Sequence, residues 1–325
     1  KVRNKSYIFG LLTTTLPFLL GTGVGLLFGY QIVPALVIGS LLASHTLLAL
    51  PIITRLGLTK LEPVLITVGA TVISDTLSLV IFAICVPTFK AGFSVVSFTV
   101  QIVEIAIFVP FILFGVSRLG AWLLKKVADD EDAYFALMLA ILAVAGLVAQ
   151  RINLPGIVGA FLAGLAVNAA AQKKPAKEKL EFFGNAFFIP IFFIVTGFLI
   201  DPKVFIRTIF ENFPLVVGII LALLVGKAIA AGTAGWIFGY TSTARKTMWA
   251  LTLPQVAATL AATLVGYDTI NASGQRLLDT KMLNAVLVLL LTTSILGPVL
   301  TERFATKMLP EAAQEELRTS ASGSC

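Results

Sequence analysis

Few side chains in this sequence are equipped for chemistry, and Asp75 is the most telling of them. It stands near the middle of Leu65–Val86, an apolar run that holds no other carboxylate. Such a run exceeds the ~20 residues that cross a bilayer as one helix. A charge at that depth costs about 2.5–3.5 kcal/mol on insertion scales, so a carboxylate persists there only where something offsets it. Ser74, Thr71, Thr76 and Ser78 surround Asp75 in sequence, and hydroxyls solvate either a carboxylate or a bare cation. A titratable carboxylate in an oxygen-rich setting at mid-membrane has the make-up of an ion-binding site. Asp75 is the expected ligand of a monovalent cation, with Ser74 beside it and Thr71 and Ser78 in support.

The other intramembrane polar residues are weighed against that centre. Lys227 lies mid-span in Leu-Val-Gly-Lys-Ala-Ile-Ala-Ala-Gly, about 15 Å from either surface and too far to snorkel. Asp75 is its expected partner, directly or through Ser74. Gln255 follows Pro254, and its amide is suited to coordinate a cation or to bond Lys227. His45 is expected to be a hydrogen-bonding group beside a helix break. Glu104, toward the outer third of its span, is read as structural or as lining an entry path. Cys85 reads as packing, and Pro155–Gly164, rich in glycine, as a close helix-packing surface. A single histidine excludes a multi-histidine metal site. The spans offer no second aspartate for an aspartyl protease dyad, and no Gly-Lys-Ser/Thr loop binds a nucleotide. No enzyme and no resident cofactor is expected.

These residues need helices to carry them, and the composition supplies them. Of 325 residues 58% are hydrophobic and 13% charged, and the mean hydropathy is +0.97. This is an all-α polytopic membrane protein. About ten spans are expected, at 7–30, 32–56, 64–88, 97–124, 132–150, 154–171, 182–200, 213–240, 246–267 and 281–302. Seventeen of the 24 lysines and arginines flank the odd-numbered connections, which predicts that both ends face the cytoplasm. The net charge of +7 is thereby a matter of topology rather than of nucleic-acid binding. The second and ninth spans contain Pro51 and Pro254, which interrupt a helix. Each lies in the middle of a three-span set, and the two sets enter from opposite sides. That layout predicts an inverted repeat, about 7–88 and 213–302, whose broken helices cross at the site. A transmembrane domain over 1–309 and a polar cytoplasmic tail over 310–325 complete the expected organisation.

The runs Gly159-Ala-Phe-Leu-Ala-Gly-Leu and Ile189-Pro-Ile-Phe-Phe-Ile-Val-Thr-Gly-Phe-Leu-Ile-Asp201, with Ser74-Asp75 inside an apolar helix, resemble the cation:proton antiporter-2 family. That family includes sodium-type and Kef-type potassium exchangers. The resemblance implies thirteen or so helices, about three of them preceding Lys1. It also implies an elevator-like movement, a homodimer and a bacterial inner membrane. Asp75 then matches the ion-binding aspartate, Ser74 the position of a second acid or amide, Thr46 a threonine at the first break, and Lys227 the lysine paired with the aspartates. Gln255 falls where some members carry an acid. The function expected is exchange of Na+ or K+ for H+, the two competing for Asp75 one for one. Two rivals remain open. One is a sodium-coupled organic-anion symporter, which needs a larger polar cavity and no midplane lysine. The other is a non-transporting proton-relay subunit, which needs more charges strung along one plane.

Overall fold

A computed structural model describes residues 2–92, 94–127, 130–152, 154–170, 174–198 and 202–309. The expected tail beyond 309 lies outside the described residues, as do residues 199–201 at the end of the Ile189–Asp201 run. Every long element among the described residues is a helix: α1 (Val2–Leu27), α2 (Ile32–Ala43), α3 (Leu50–Arg55), α4 (Glu62–Ala91), α5 (Val95–Pro110), α6 (Ser117–Lys126), α7 (Glu131–Arg151), α8 (Gly156–Ala170), α9 (Lys174–Phe183), α10 (Ile189–Phe198), α11 (Pro202–Glu211), α12 (Phe213–Ile237), α13 (Ser242–Leu251), α14 (Ala257–Asp268) and α15 (Thr280–Ala305). Among the described residues, six of the ten expected spans are continuous helical stretches long and apolar enough to cross a membrane, the fourth (Thr99–Lys126) including a π-helical turn. The others take different forms. The second and ninth are each divided, into α2 and α3 and into α13 and α14. The sixth is the shorter helix α8, and the seventh is built from α9, a π-helical turn over Gly184–Phe188 and α10. A second π-helical turn, Phe111–Val116, joins α5 to α6 directly after Pro110, whose missing N–H loosens the helical ladder.

The described residues form two compact units. The first draws on residues 2–82, 208–267 and 278–309; the second on the described residues within 83–207 and 268–277. Within the first unit, α1 packs on α2 and α12, and α13 packs on α12 and α15. Small residues permit these approaches. A side chain at Gly39 would strike Phe18 and Thr22, one at Gly25 would strike Ala35, and one at Gly226 would strike Pro17. In the second unit α7 and α8 meet in the same way. Gly159 lies against the backbone of Ala145 and against Ala149, so the glycine-rich run is the packing surface expected of it.

The first unit repeats one device. Helix α1 ends in Phe28-Gly29-Tyr30 and α12 in Phe238-Gly239-Tyr240. Gly29 (φ 83°) and Gly239 (φ 73°) adopt the left-handed conformation, and the tyrosine N–H that follows returns to the carbonyl of Gly25 or Gly235. This is a glycine-terminated helix C-terminus. It stops α1 at Leu27, before the residue 30 expected from hydropathy. Each tyrosine then meets the start of a long helix from the other segment. The Tyr30 hydroxyl donates to Asp279, the N-cap of α15, at 2.9 Å. On the other side, Lys5 pairs with Glu62 at the start of α4 (2.8 Å) and lies over the rings of Phe238 and Tyr240.

Prolines inside long helices leave carbonyls without donors, and polar side chains from neighbouring helices fill them. Pro87 in α4 frees the carbonyl of Ala83, and the buried Gln101 amide donates to it at 2.6 Å. Pro17 in α1 frees the carbonyl of Thr13, and its donor belongs to the site.

Candidate ion-binding site

Two helix breaks meet in the first unit. The segment between α2 and α3 touches the segment between α13 and α14, with the Thr46 N–H donating to the carbonyl of Pro254 at 2.8 Å. The Gln255 side chain returns the contact, its Nε2 donating to the carbonyl of Ser44 at 2.6 Å. Unwinding leaves the last carbonyls of α2 without helical partners, and these contacts satisfy part of that need.

Lys227 satisfies the rest. It is fully buried, at 0% exposure, which settles that it does not snorkel. Its Nζ donates to the carbonyls of Thr13 (2.9 Å), Ala43 (2.9 Å) and Ser44 (3.2 Å). An ammonium has three N–H donors, and here each has a backbone acceptor. One acceptor is the carbonyl freed by Pro17; the other two are the C-terminal end of α2, where a helix dipole favours a cation. This corrects the expected partnership. Among the described residues no ion pair within 4.0 Å joins Lys227 to Asp75, directly or by way of Ser74, and Gln255 does not bond Lys227 but shares its acceptor at Ser44. The break leaves these carbonyls unpaired at the ammonium and they take its three N–H groups, while Lys227 and Asp75 still stand close enough for their charges to interact.

Asp75 is partly buried on α4 and accepts the backbone N–H of His45 at 3.3 Å. It lines a small cavity with Ser40, Leu41, Ser44, Ser78, Leu79, Phe82, Ala258, Thr259 and Ala262. The hydroxyls there form an ordered set. Thr259 donates to Gln255 Oε1 at 2.6 Å, so in its 3.3 Å contact with Ser44 the serine is the donor. That leaves the Ser44 lone pairs free. Ser78 donates to the carbonyl of Ser40 at 2.8 Å, and Ser40 to that of Val37 at 2.7 Å. One carboxyl-bearing and four hydroxyl-bearing residues thus line one cavity, residue types whose oxygens suit a small hard cation.

His45 is buried, and its ring stands between two hydroxyls of α4, Nε2 to Thr71 Oγ1 at 2.9 Å and Nδ1 to Ser74 Oγ at 3.1 Å. It is therefore the hydrogen-bonding group at the break that its position foretold. The structure brings Asp75, Ser74, Thr71, Ser78, His45, Lys227 and Gln255 into one cluster. Thr46 joins it through its backbone, and its side chain is not among the cavity's lining. Glu104 stands half-buried on α5, in the second unit. Ser40, Ser44 and Thr259 were not singled out from sequence, although Thr259 follows Gln255 by one helical turn and Ser44 adjoins His45.

The sequence matches the family described as sodium/hydrogen exchanger, transmembrane, over residues 1–307. It is 44% identical over 308 residues to the Na(+)/H(+) antiporter NhaS5 of Synechocystis, covering 95% of this chain and 44% of that protein. It is 27% identical over 310 residues to the Na(+)/H(+)-K(+) antiporter GerN of Bacillus cereus, covering 94% of this chain and 77% of GerN. Over 251 residues it is 27% identical to the chloroplastic K(+) efflux antiporter 2 of Arabidopsis thaliana, covering 72% of this chain and 21% of that protein. The chain therefore spans less than half the length of NhaS5. With six helices long and apolar enough to cross a bilayer and the match running over almost its whole length, this chain is an integral membrane protein that belongs to the sodium/hydrogen exchanger family.

Proposed function

We propose that this chain is the membrane domain of a secondary antiporter that exchanges Na+, K+ or both for H+, with Asp75 binding cation and proton in turn. The observation that carries this reading is the single carboxylate of Asp75 in a cavity whose other polar groups are the hydroxyls of Ser40, Ser44, Ser78 and Thr259. A carboxylate so placed holds a cation among oxygens or a proton, and cannot hold both. That competition couples the two flows. The similar proteins are named for Na+/H+, Na+/H+-K+ and K+ exchange, which supports the class and leaves either ion as substrate. The symporter reading called for no midplane lysine, and Lys227 is present, buried and fully bonded.

The wider architecture belongs to the same proposal. The recurrent Phe-Gly-Tyr helix ends and the crossed breaks support an inverted repeat of about 7–88 and 213–302, within about ten crossings and with both ends cytoplasmic. Two compact units support an elevator-like cycle, and we place the protein as a homodimer in a bacterial inner membrane. Reconstitution into proteoliposomes tests the function directly. Imposed Na+ or K+ gradients should drive proton movement in the native protein and none in Asp75→Asn. Gradient-driven flux that survives in the variant would remove Asp75 from the site.

A further inference from the structure

The contacts around His45 go beyond holding a break together. Ser74 Oγ also reaches the carbonyl of Thr71 at 3.0 Å, and Thr71 Oγ1 that of Thr67 at 3.1 Å. A neutral ring offers one N–H and one lone pair. In either tautomer one hydroxyl gives its single proton to the ring, while the other accepts the ring N–H and donates to its own helix carbonyl. Both hydroxyls are engaged on the side of α4 that faces the ring, and neither Ser74 nor Thr71 lines the cavity. The same residue's backbone N–H holds Asp75.

We propose that His45 is a positioning residue that sets ion preference: it keeps the hydroxyls of Ser74 and Thr71 out of the cation's shell, leaving the ion to Asp75 and the cavity hydroxyls. The inference rests on the exchange reading above. Ser74 follows as a residue that acts through His45 rather than as a ligand. Fewer oxygens favour the smaller ion, since the larger one is satisfied by a higher number of ligands at longer distance.

The test compares Na+- and K+-driven proton flux in proteoliposomes for native protein, His45→Ala, Ser74→Ala, His45→Asn and the double variant His45→Ala/Ser74→Ala, with thermal unfolding measured on each. His45→Ala is expected to shift the ratio of KM values toward K+ by about fivefold or more while the maximal rate stays within about threefold, a change in binding rather than in turnover. Ser74→Ala alone should keep the native ratio, and the double variant should fall back toward it from His45→Ala, because the hydroxyl that His45→Ala releases is gone. His45→Asn, whose amide reaches where Nδ1 stands, should recover most of the native ratio. An unchanged ratio in His45→Ala, or a double variant shifted as far as His45→Ala, overturns the proposal. Native protein that moves neither ion would instead sink the exchange reading. A second measurement stands apart from transport. His45 is the only histidine in the sequence, so histidine-selective 15N labelling reports its ring nitrogens alone. Saturating Na+ should leave the Nδ1 resonance in place, and Ser74→Ala should move it. If Na+ itself shifts Nδ1 as far as Ser74→Ala does, the serine has turned to the ion and the proposal fails.

Discussion

At the level of single residues, the site divides into one group that exchanges and several that hold the backbone around it. Asp75→Asn keeps size and hydrogen-bonding capacity but cannot trade a proton for a cation, so it should fold normally and transport nothing. Lys227→Ala should do the reverse in one respect. It strips the donor from the buried carbonyls of Thr13 and Ala43, and one of two donors from that of Ser44, and an unsatisfied buried polar group costs about 1–3 kcal/mol. The unfolding midpoint in detergent should therefore fall by several degrees for Lys227→Ala and stay within a degree or so for Asp75→Asn, at about 1 kcal/mol for a few degrees. Equal midpoints for Lys227→Ala and the native protein would mean that water takes over its role. Asp75 and its hydroxyl neighbours were legible in sequence because a charge inside an apolar run has no bland explanation. The partners of Lys227 were harder to read, since backbone carbonyls have no letter of their own. A signal existed nonetheless, because Pro17 follows Thr13 by four residues and so marks the carbonyl that lacks a donor.

At the level of elements, proline punctuation located both broken helices, yet the breaks sit just before or around the prolines, over residues 44–49 and 252–256. Proline is tolerated in the first turn of a helix, where no N–H is needed, and Pro51 stands in the first turn of α3, so the break precedes it. Hydropathy, by contrast, measures only length and apolarity. It could not see that Gly29 ends α1 through a left-handed turn, nor that Phe-Gly-Tyr recurs at 28–30 and 238–240, a repeat too short for composition to notice. Nor did any sequence pattern separate the first unit from the second, because both are equally apolar. The crossing of the breaks yields a direct prediction. Cysteines at Thr46 and Gln255 should crosslink with a short bifunctional reagent, since the Thr46 amide already touches the carbonyl of Pro254. Failure under every ionic condition would contradict the crossing. The small-residue seams yield another. Gly226→Val places methyl groups against the backbone of Pro17, and overpacking of this kind costs about 1–3 kcal/mol. Gly232→Ala, at a glycine with open space around it, should leave the unfolding midpoint essentially unchanged.

At the level of the whole molecule, the number of charges moved per cycle follows from how many groups can change protonation state. The cavity holds one carboxylate, which can release one proton to one monovalent cation. A second proton would have to come from Lys227. Its ammonium spends all three N–H groups on carbonyls that have lost their helical donors. Deprotonation would remove one of those donors from a set of buried carbonyls, of which only that of Ser44 has a second donor, Gln255. It would also remove positive charge from the C-terminal end of α2, where the dipole favours it. Both effects favour the charged lysine. On the proposed reading the lysine is then a fixed part of the scaffold, and exchange is expected to be one for one and electroneutral. Proteoliposomes with the membrane potential clamped at a series of values by an inert ionophore provide the measurement. The initial rate of cation-driven proton flux should be the same at each potential and should not reverse when the potential does. A rate that climbs or stalls with voltage would mean that net charge crosses the membrane in each cycle, and that Lys227 gives up a proton despite its three acceptors.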